Sequence, residues 1–417
     1  MDERSKAPTS NAPGPPLFDP ARPEVRADPF PVFRELREKS PVFFCEPLGG
    51  WMLTRYDDCV AALREPRLSS DRITPFIANL PPEKREQMGE LWRTLRSWTV
   101  FSDPPDHTRI RGLFNKAFTQ RAIAHLRGRV EACVDELLAR RPGGEIELIG
   151  DFAYPLPAMV ICDMLGLGRD DLERIQAWSD AISTFIGLPK KPSESYYAAA
   201  RGVAAMNEYF REAVAARRAS PGDDLLSQLM AASEGGDRLT QDELVATCAL
   251  LLFAAHSTTT HLLGNGALAL LRNRDQLELL RADPALVDSA VEELLRYDGP
   301  IQTIRRVVKE PLEFRGARFA AGDLVFPMLN AANRDPAEFP DPERLDVRRA
   351  PNRHIGFGFG IHFCPGAPLA RMEGQIAFRA LLRRSDRFEL AEGREVRWLE
   401  WFGVRGLREL HLRIAPA

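Results

Sequence analysis

The stretch Phe357-Gly-Phe-Gly-Ile-His-Phe-Cys-Pro-Gly-Ala-Pro-Leu-Ala-Arg371 presents one thiol, Cys364, on a glycine-bent loop that runs straight into a helix. Gly358 and Gly360 permit positive backbone angles and leave room for a flat ligand to lie against the main chain. Pro365 suits the opening of a helix, where its missing N–H costs nothing. From Ala367 onward, Leu369, Met372, Ile376, Phe378 and Leu382 recur at helical spacing. Cys364 is therefore expected at a helix N-terminus, where the dipole and free N–H groups lower a thiol's pKa and hold a thiolate.

No second cysteine lies near Cys364 in sequence, which is poor chemistry for zinc or for a disulfide. A lone thiolate suits a metal whose other ligands come from a cofactor, and haem is the obvious one. A buried structural cysteine would not account for the glycines and the histidine around it. The loop resembles the haem-binding signature of the cytochromes P-450, Phe-Gly-x-Gly-x-His-x-Cys-x-Gly-x-x-Leu-Ala-Arg. It matches at Phe357, Gly358, Gly360, His362, Cys364, Gly366, Leu369, Ala370 and Arg371.

Working outward, Thr240-Gln-Asp-Glu243 is a capping box that opens the longest predicted helix, running to about Arg272. Its middle, Leu251 to Thr260, is apolar on most sides and then abruptly rich in hydroxyls. Ser and Thr in a buried helix commonly bond back to the preceding turn. In the family this helix crosses the oxygen-binding face of the haem, and the resemblance puts Thr258 at the proton-delivery position. Ala255 stands where the family usually has Gly, and Ser257 where it has an acid. A hydroxyl can relay a proton but cannot supply the charge.

Upstream, Phe101-Ser-Asp-Pro-Pro-Asp-His-Thr-Arg-Ile-Arg111 places His107 and Arg111 four apart on one helix face. The resemblance points both at the haem propionates, joined by Arg306 and His362; two cations facing two carboxylates is sound electrostatics. Ile301 to Val308 alternates as a strand does, and residues 301–304 would line the pocket. Glu293-Leu-Leu-Arg296 alone is an ordinary helix pair. The family likeness adds Arg344 from Phe339-Pro-Asp-Pro-Glu-Arg344, making Glu293, Arg296 and Arg344 a buried charge cluster beside the thiol loop.

Elsewhere, Pro41–Cys45 and Trp51–Thr54, bridged by Gly49-Gly50, read as a hairpin. Residues 69–99 read as a long surface segment of the sort that covers a binding site and 120–232 as successive helices; 183–192 reads as a connecting loop, which the resemblance would make a mobile lid. Residues 397–404 read as a turn touching the pocket from the other side. Residues 1–20 are polar and proline-rich, a flexible leader with no apolar signal core, and 21–417 a single catalytic domain.

The chain has 417 residues and a net charge of −3, which implies no global attraction to nucleic acid or membrane. Its 6 cysteines lack paired spacing and indicate a reducing compartment. Between Arg344 and Arg384 eight arginines (344, 348, 349, 353, 371, 379, 383 and 384) face two acids (Asp346 and Glu373), an excess of six. That excess suits an acidic electron-transfer partner on the cysteine side.

The resemblance spans roughly residues 28 to 410. It implies a mainly α fold with small β-sheets and a long central helix over the haem. The implied protein is a cytoplasmic, monomeric, soluble bacterial-type haem-thiolate monooxygenase. It would use heme b held by Cys364 and electrons from a ferredoxin and ferredoxin reductase. Hydroxylation or epoxidation of a hydrophobic small molecule is the expected reaction, in secondary metabolism or in xenobiotic or lipid oxidation. Phe357, Gly358 and Gly366 would contact the haem, with Ala254, Ala255, Ile301 and Ile304 in the substrate pocket. Two rivals are a peroxide-driven haem-thiolate enzyme, suggested by Ser257, and a haem protein acting only on carrier-tethered substrates.

Overall fold

The capping box does what its sequence predicts. In the computed structural model Thr240 Oγ1 accepts from the Glu243 amide at 3.2 Å, and Glu243 Oε2 accepts from the Thr240 amide at 2.9 Å. The helix it starts runs over Gln241–Arg272, 32 residues, on the order of 48 Å. It is long and apolar enough to cross a membrane, yet 61% of its most apolar window is buried inside the protein. It serves as the core helix, packed by Pro155–Leu165, Ser193–Ala219, Val287–Asp298 and Ala367–Arg383.

The structure describes residues 18–141, 144–187, 193–232, 236–383 and 389–414. It is mostly helical with small sheets. The largest sheet has five strands in the spatial order Val42–Cys45, Gly50–Leu53, Leu324–Pro327, Arg306–Val308, Leu68–Ser69. The predicted hairpin supplies its first two strands, with Val42 opposite Leu53 and Cys45 opposite Gly50. A second apolar cluster under this sheet, around Leu53, Val308 and Val325, is separate from the main helical core.

Four expectations need correction. Residues 69–99 are a surface segment only in part: three short helices form there, and Pro82–Gln87 buries nothing, but the last, Gly89–Ser97, buries Leu91, Trp92 and Leu95 and leads to a fully buried Trp98. Those apolar positions fall on one helical face, which packs inward. Residues 183–187 are the end of helix Leu172–Gly187, with Ser183 buried, so the lid loop is at most the rest of that stretch; residues 188–192 lie outside the described residues. Of the proposed leader, residues 1–17 lie outside them too. Phe18 is already core, 2% exposed against Phe33 and Phe402. Only Arg306–Val308 of the predicted strand joins the sheet, while Ile301 and Thr303 make single bridges to Val404 and Met328.

Candidate active site

A cavity of about 520 Å³ opens between the middle of the long helix and the loop that carries Cys364. The loop's bend requires glycine: Gly358 and Gly360 have φ of +77° and +73°, and a side chain on Gly360 would press the Leu63 carbonyl. The Cys364 amide donates to the Phe357 carbonyl at 2.9 Å, closing the turn before helix Ala367–Arg383. The N–H groups of Gly366 and Ala367 act on the Cys364 sulfur, as do Arg111 and Arg371. Even so, burial outweighs them and holds the thiol above its ordinary range. The helix end alone does not lower it, contrary to the reading of the sequence. A stable thiolate there calls for a stronger cation, which a metal ion would supply.

Beside the thiol lies a group of basic side chains. The rings of His107 and His362 sit 4.2 Å apart between centroids, and His362 Nε2 meets Ser70 Oγ at 2.8 Å. His107 and Arg306 are buried, and His107 Nδ1 and one Arg306 amino group find no partner. Burial, then Arg306 and His107, push the His362 pKa down to about 3; burial, then Arg111, lowers that of His107. Burial also lowers Arg306, to about 10. The nearest acid, Asp103, is already engaged by Ser69, Ser70 and Lys309. Arg111 donates to the Phe363 carbonyl at 2.8 Å and still lines the cavity. Orphaned donors and cations buried together next to a thiol fit a flat, dianionic, metal-bearing ligand. Haem is such a ligand, and the residues present fit it.

On the opposite wall, Ala254, Ala255, Ser257 and Thr258 line the cavity. Thr258 Oγ1 donates back to the Ala254 carbonyl at 3.0 Å, and Thr260 does the same to His256. Thr259 behaves differently: its hydroxyl faces the carboxyl of Glu373. Glu373 is 2% exposed, borders the cavity, and has its pKa pushed up to about 8 by burial, with Thr259 opposing. Sequence reasoning missed this acid. The available signal was its place four residues after Leu369 and next to Met372, on the buried stripe of its helix. Ile301 and Ile304 line the cavity as expected, and Trp401 to Val404 close it from the other side.

Behind the loop, Glu293 and Arg296 are fully buried and paired at 2.7 and 2.8 Å. Their third member is Arg349, not Arg344. Arg349 Nε reaches the Glu293 carboxylate at 3.1 and 3.2 Å, while Arg344 is exposed and lends only its carbonyl, 3.1 Å from Arg296 Nη2. The connecting loop turns through Asp341 at φ +47°, and it is Arg349 that this path returns to the cluster. The excess of arginines is likewise smaller than counted. Arg371 pairs with Glu292 and Arg379 with Asp288, both from the neighbouring helix. Arg344, Arg348, Arg353 and Arg383 remain exposed, and Arg384 lies outside the described residues.

Comparison with known proteins agrees with this geometry. The family model for cytochrome P-450 matches residues 90–398. The cytochrome P-450 monooxygenase PikC of Streptomyces venezuelae is 39% identical over 402 residues, covering 94% of this chain and 92% of that protein. Among solved structures, P450BioI in complex with an acyl carrier protein ligated to hexadec-9Z-enoic acid superposes with a TM-score of 0.87 at 33% identity, covering 94% of this chain and 99% of that one. The myxobacterial cytochrome CYP267B1 in complex with myristic acid gives 0.85 at 41% identity, covering 94% and 98%.

Proposed function

The chain belongs to the cytochrome P-450 family and is a monooxygenase of it, and from that premise we propose that it inserts one oxygen atom into an apolar small molecule held above Cys364, using electrons from a ferredoxin. When bound, a thiolate-held haem supplies the reductive activation of dioxygen that such an insertion needs. Cys364 would hold the iron, its charge supported by the Gly366 and Ala367 amides and by Arg111 and Arg371. His107, Arg111, Arg306 and His362 would hold the propionates, and Phe357, Gly358 and Gly366 would line the macrocycle. The region from Phe18 onward would act as one catalytic domain.

Glu373 takes over the task of the acid that Ser257 replaces. Its carboxyl holds a proton near neutral pH and can pass it to Thr259 Oγ1 at the cavity edge. Thr258 Oγ1 and the Ser257 hydroxyl are the other relay atoms on that wall. A buried acid at Glu373 also removes the motive for a peroxide-driven reaction. The observation that carries this reading is convergence: thiol, unpartnered basic groups and acid–hydroxyl pair all open on one cavity.

Reconstitution with haem, ferredoxin and ferredoxin reductase tests it. Oxygen-dependent product from an apolar substrate is expected; product with peroxide and none with ferredoxin and reductase would contradict it. The P450BioI complex supports a second reading, in which the substrate arrives tethered to a carrier protein. Calorimetric titration with acylated and free carrier protein separates the two.

A further inference from the structure

We propose that Arg72 and Arg305 form a carboxylate-binding subsite in the cavity, so that the substrate is an amphiphile with a free anionic head and an apolar tail. This rests on the cytochrome P-450 reading of the same cavity and names its substrate class.

Four guanidiniums line the cavity, those of Arg72, Arg111, Arg305 and Arg306. A haem brings a pair of propionates, which leaves two guanidiniums without counter-charge. Arg306 and Arg111 are the neighbours of the His107–His362 pair, so they belong to the propionate end. Arg72 and Arg305 are left over. Arg72 lies with its guanidinium carbon 4.5 Å from the centre of the buried Phe101 ring, a contact that fixes it but supplies no anion.

The acids that could neutralise these two are committed elsewhere. Asp71 accepts from the amides of Ile73 and Thr74, and Asp103 is held by Ser69, Ser70 and Lys309. Among the described residues no carboxylate pairs with Arg72 or Arg305. Burial, then Arg305 and Arg306, force the Arg72 pKa well below its usual value. Both side chains are half-buried on the cavity wall; like charges held close together there are unfavourable unless an anion joins them, and their forked donors match a carboxylate. The walls beyond, including Leu250, Phe253 and Ile304, offer apolar surface for a chain. In a monocarboxylic acyl thioester the carboxyl is tied up, so this subsite favours a free acid over that form of carrier-tethered substrate.

The test is titration of the ferric holoenzyme with dodecanoic, tetradecanoic and hexadecanoic acids and the matching alcohols, read by the Soret shift and by calorimetry. The acids should bind roughly ten- to a hundredfold tighter than the alcohols, as a charge-assisted contact would give. Arg72→Gln and Arg305→Gln should each abolish that preference while alcohol binding, haem content and the carbon monoxide spectrum stay unchanged; two variants guard against one that misfolds. Equal affinity for acid and alcohol in the native protein, or no binding of the acids, overturns the subsite alone. So does loss of haem from both variants with the preference intact, which would assign these arginines to the propionates. A native holoenzyme without a thiolate-type carbon monoxide spectrum overturns the cytochrome P-450 reading and the subsite with it.

Discussion

Glu373 is a carboxyl 2% exposed in a helix core, beside a threonine hydroxyl, and its protonation state governs two measurable properties. Its folded pKa, about 8, lies above the unfolded value of 4.5. The folded state therefore binds the extra proton: the stability this group contributes is complete below the unfolded value and is lost as pH rises through about 8. Glu373→Gln should flatten that decline, raising stability at pH 9 relative to the native protein by an amount on the order of a few kcal/mol, as denaturant melts at pH 5 and 9 would show. The same variant should lower oxygen-coupled turnover roughly ten- to a hundredfold and divert electrons to peroxide, with substrate affinity unchanged. Unaltered coupling would remove Glu373 from the proton path. At this scale the sequence was partly legible. The hydroxyl run was visible because it interrupts an apolar helix, and only the family resemblance picked Thr258 out of it. The Thr259–Glu373 pair could not be found, because it joins two helices more than a hundred residues apart in the chain.

Among the elements, those with local causes were readable. The long helix announced itself through its cap and periodicity, and the hairpin through Gly49-Gly50 between apolar runs. What failed was register inside irregular chain. Residues 339–353 carry several arginines in a loop with no period, so nothing in the sequence distinguished Arg344 from Arg349 as the partner of Glu293. The two make opposite predictions. Arg349→Ala strands part of a buried carboxylate's charge and should cost roughly 3–5 kcal/mol. Arg344→Ala removes an exposed side chain and should stay within about 0.5 kcal/mol. Chemical denaturation of the two variants measures both; equal costs would return the cluster to an arrangement the geometry does not support.

For the molecule as a whole, fold class was legible because the thiol loop, the long helix, the Glu293–Arg296 pair and the His107–Arg111 pair occur in the order found in the cytochrome P-450 family. Partner surfaces were less so. A charge count along the sequence cannot see that Arg371 and Arg379 are neutralised by acids from another helix. Among the described residues of the stretch around Cys364, Arg344, Arg348, Arg353 and Arg383 remain exposed, with Ile361 at 56% and Phe363 at 42% exposure. If an acidic ferredoxin docks there, Arg353→Glu with Phe363→Ala should slow haem reduction by the ferredoxin about tenfold or more, and less so at high salt. Substrate-induced Soret shifts should not change.

The central claim is that Cys364 holds a haem iron as thiolate within this cavity. The most direct measurement is the carbon monoxide spectrum of the reduced, haem-loaded protein beside that of Cys364→His. The native protein should give the strongly red-shifted Soret band of a thiolate-ligated haem, and the variant an imidazole-type band or none. An imidazole-type band in the native protein, or a thiolate-type band that survives the substitution, would contradict the account.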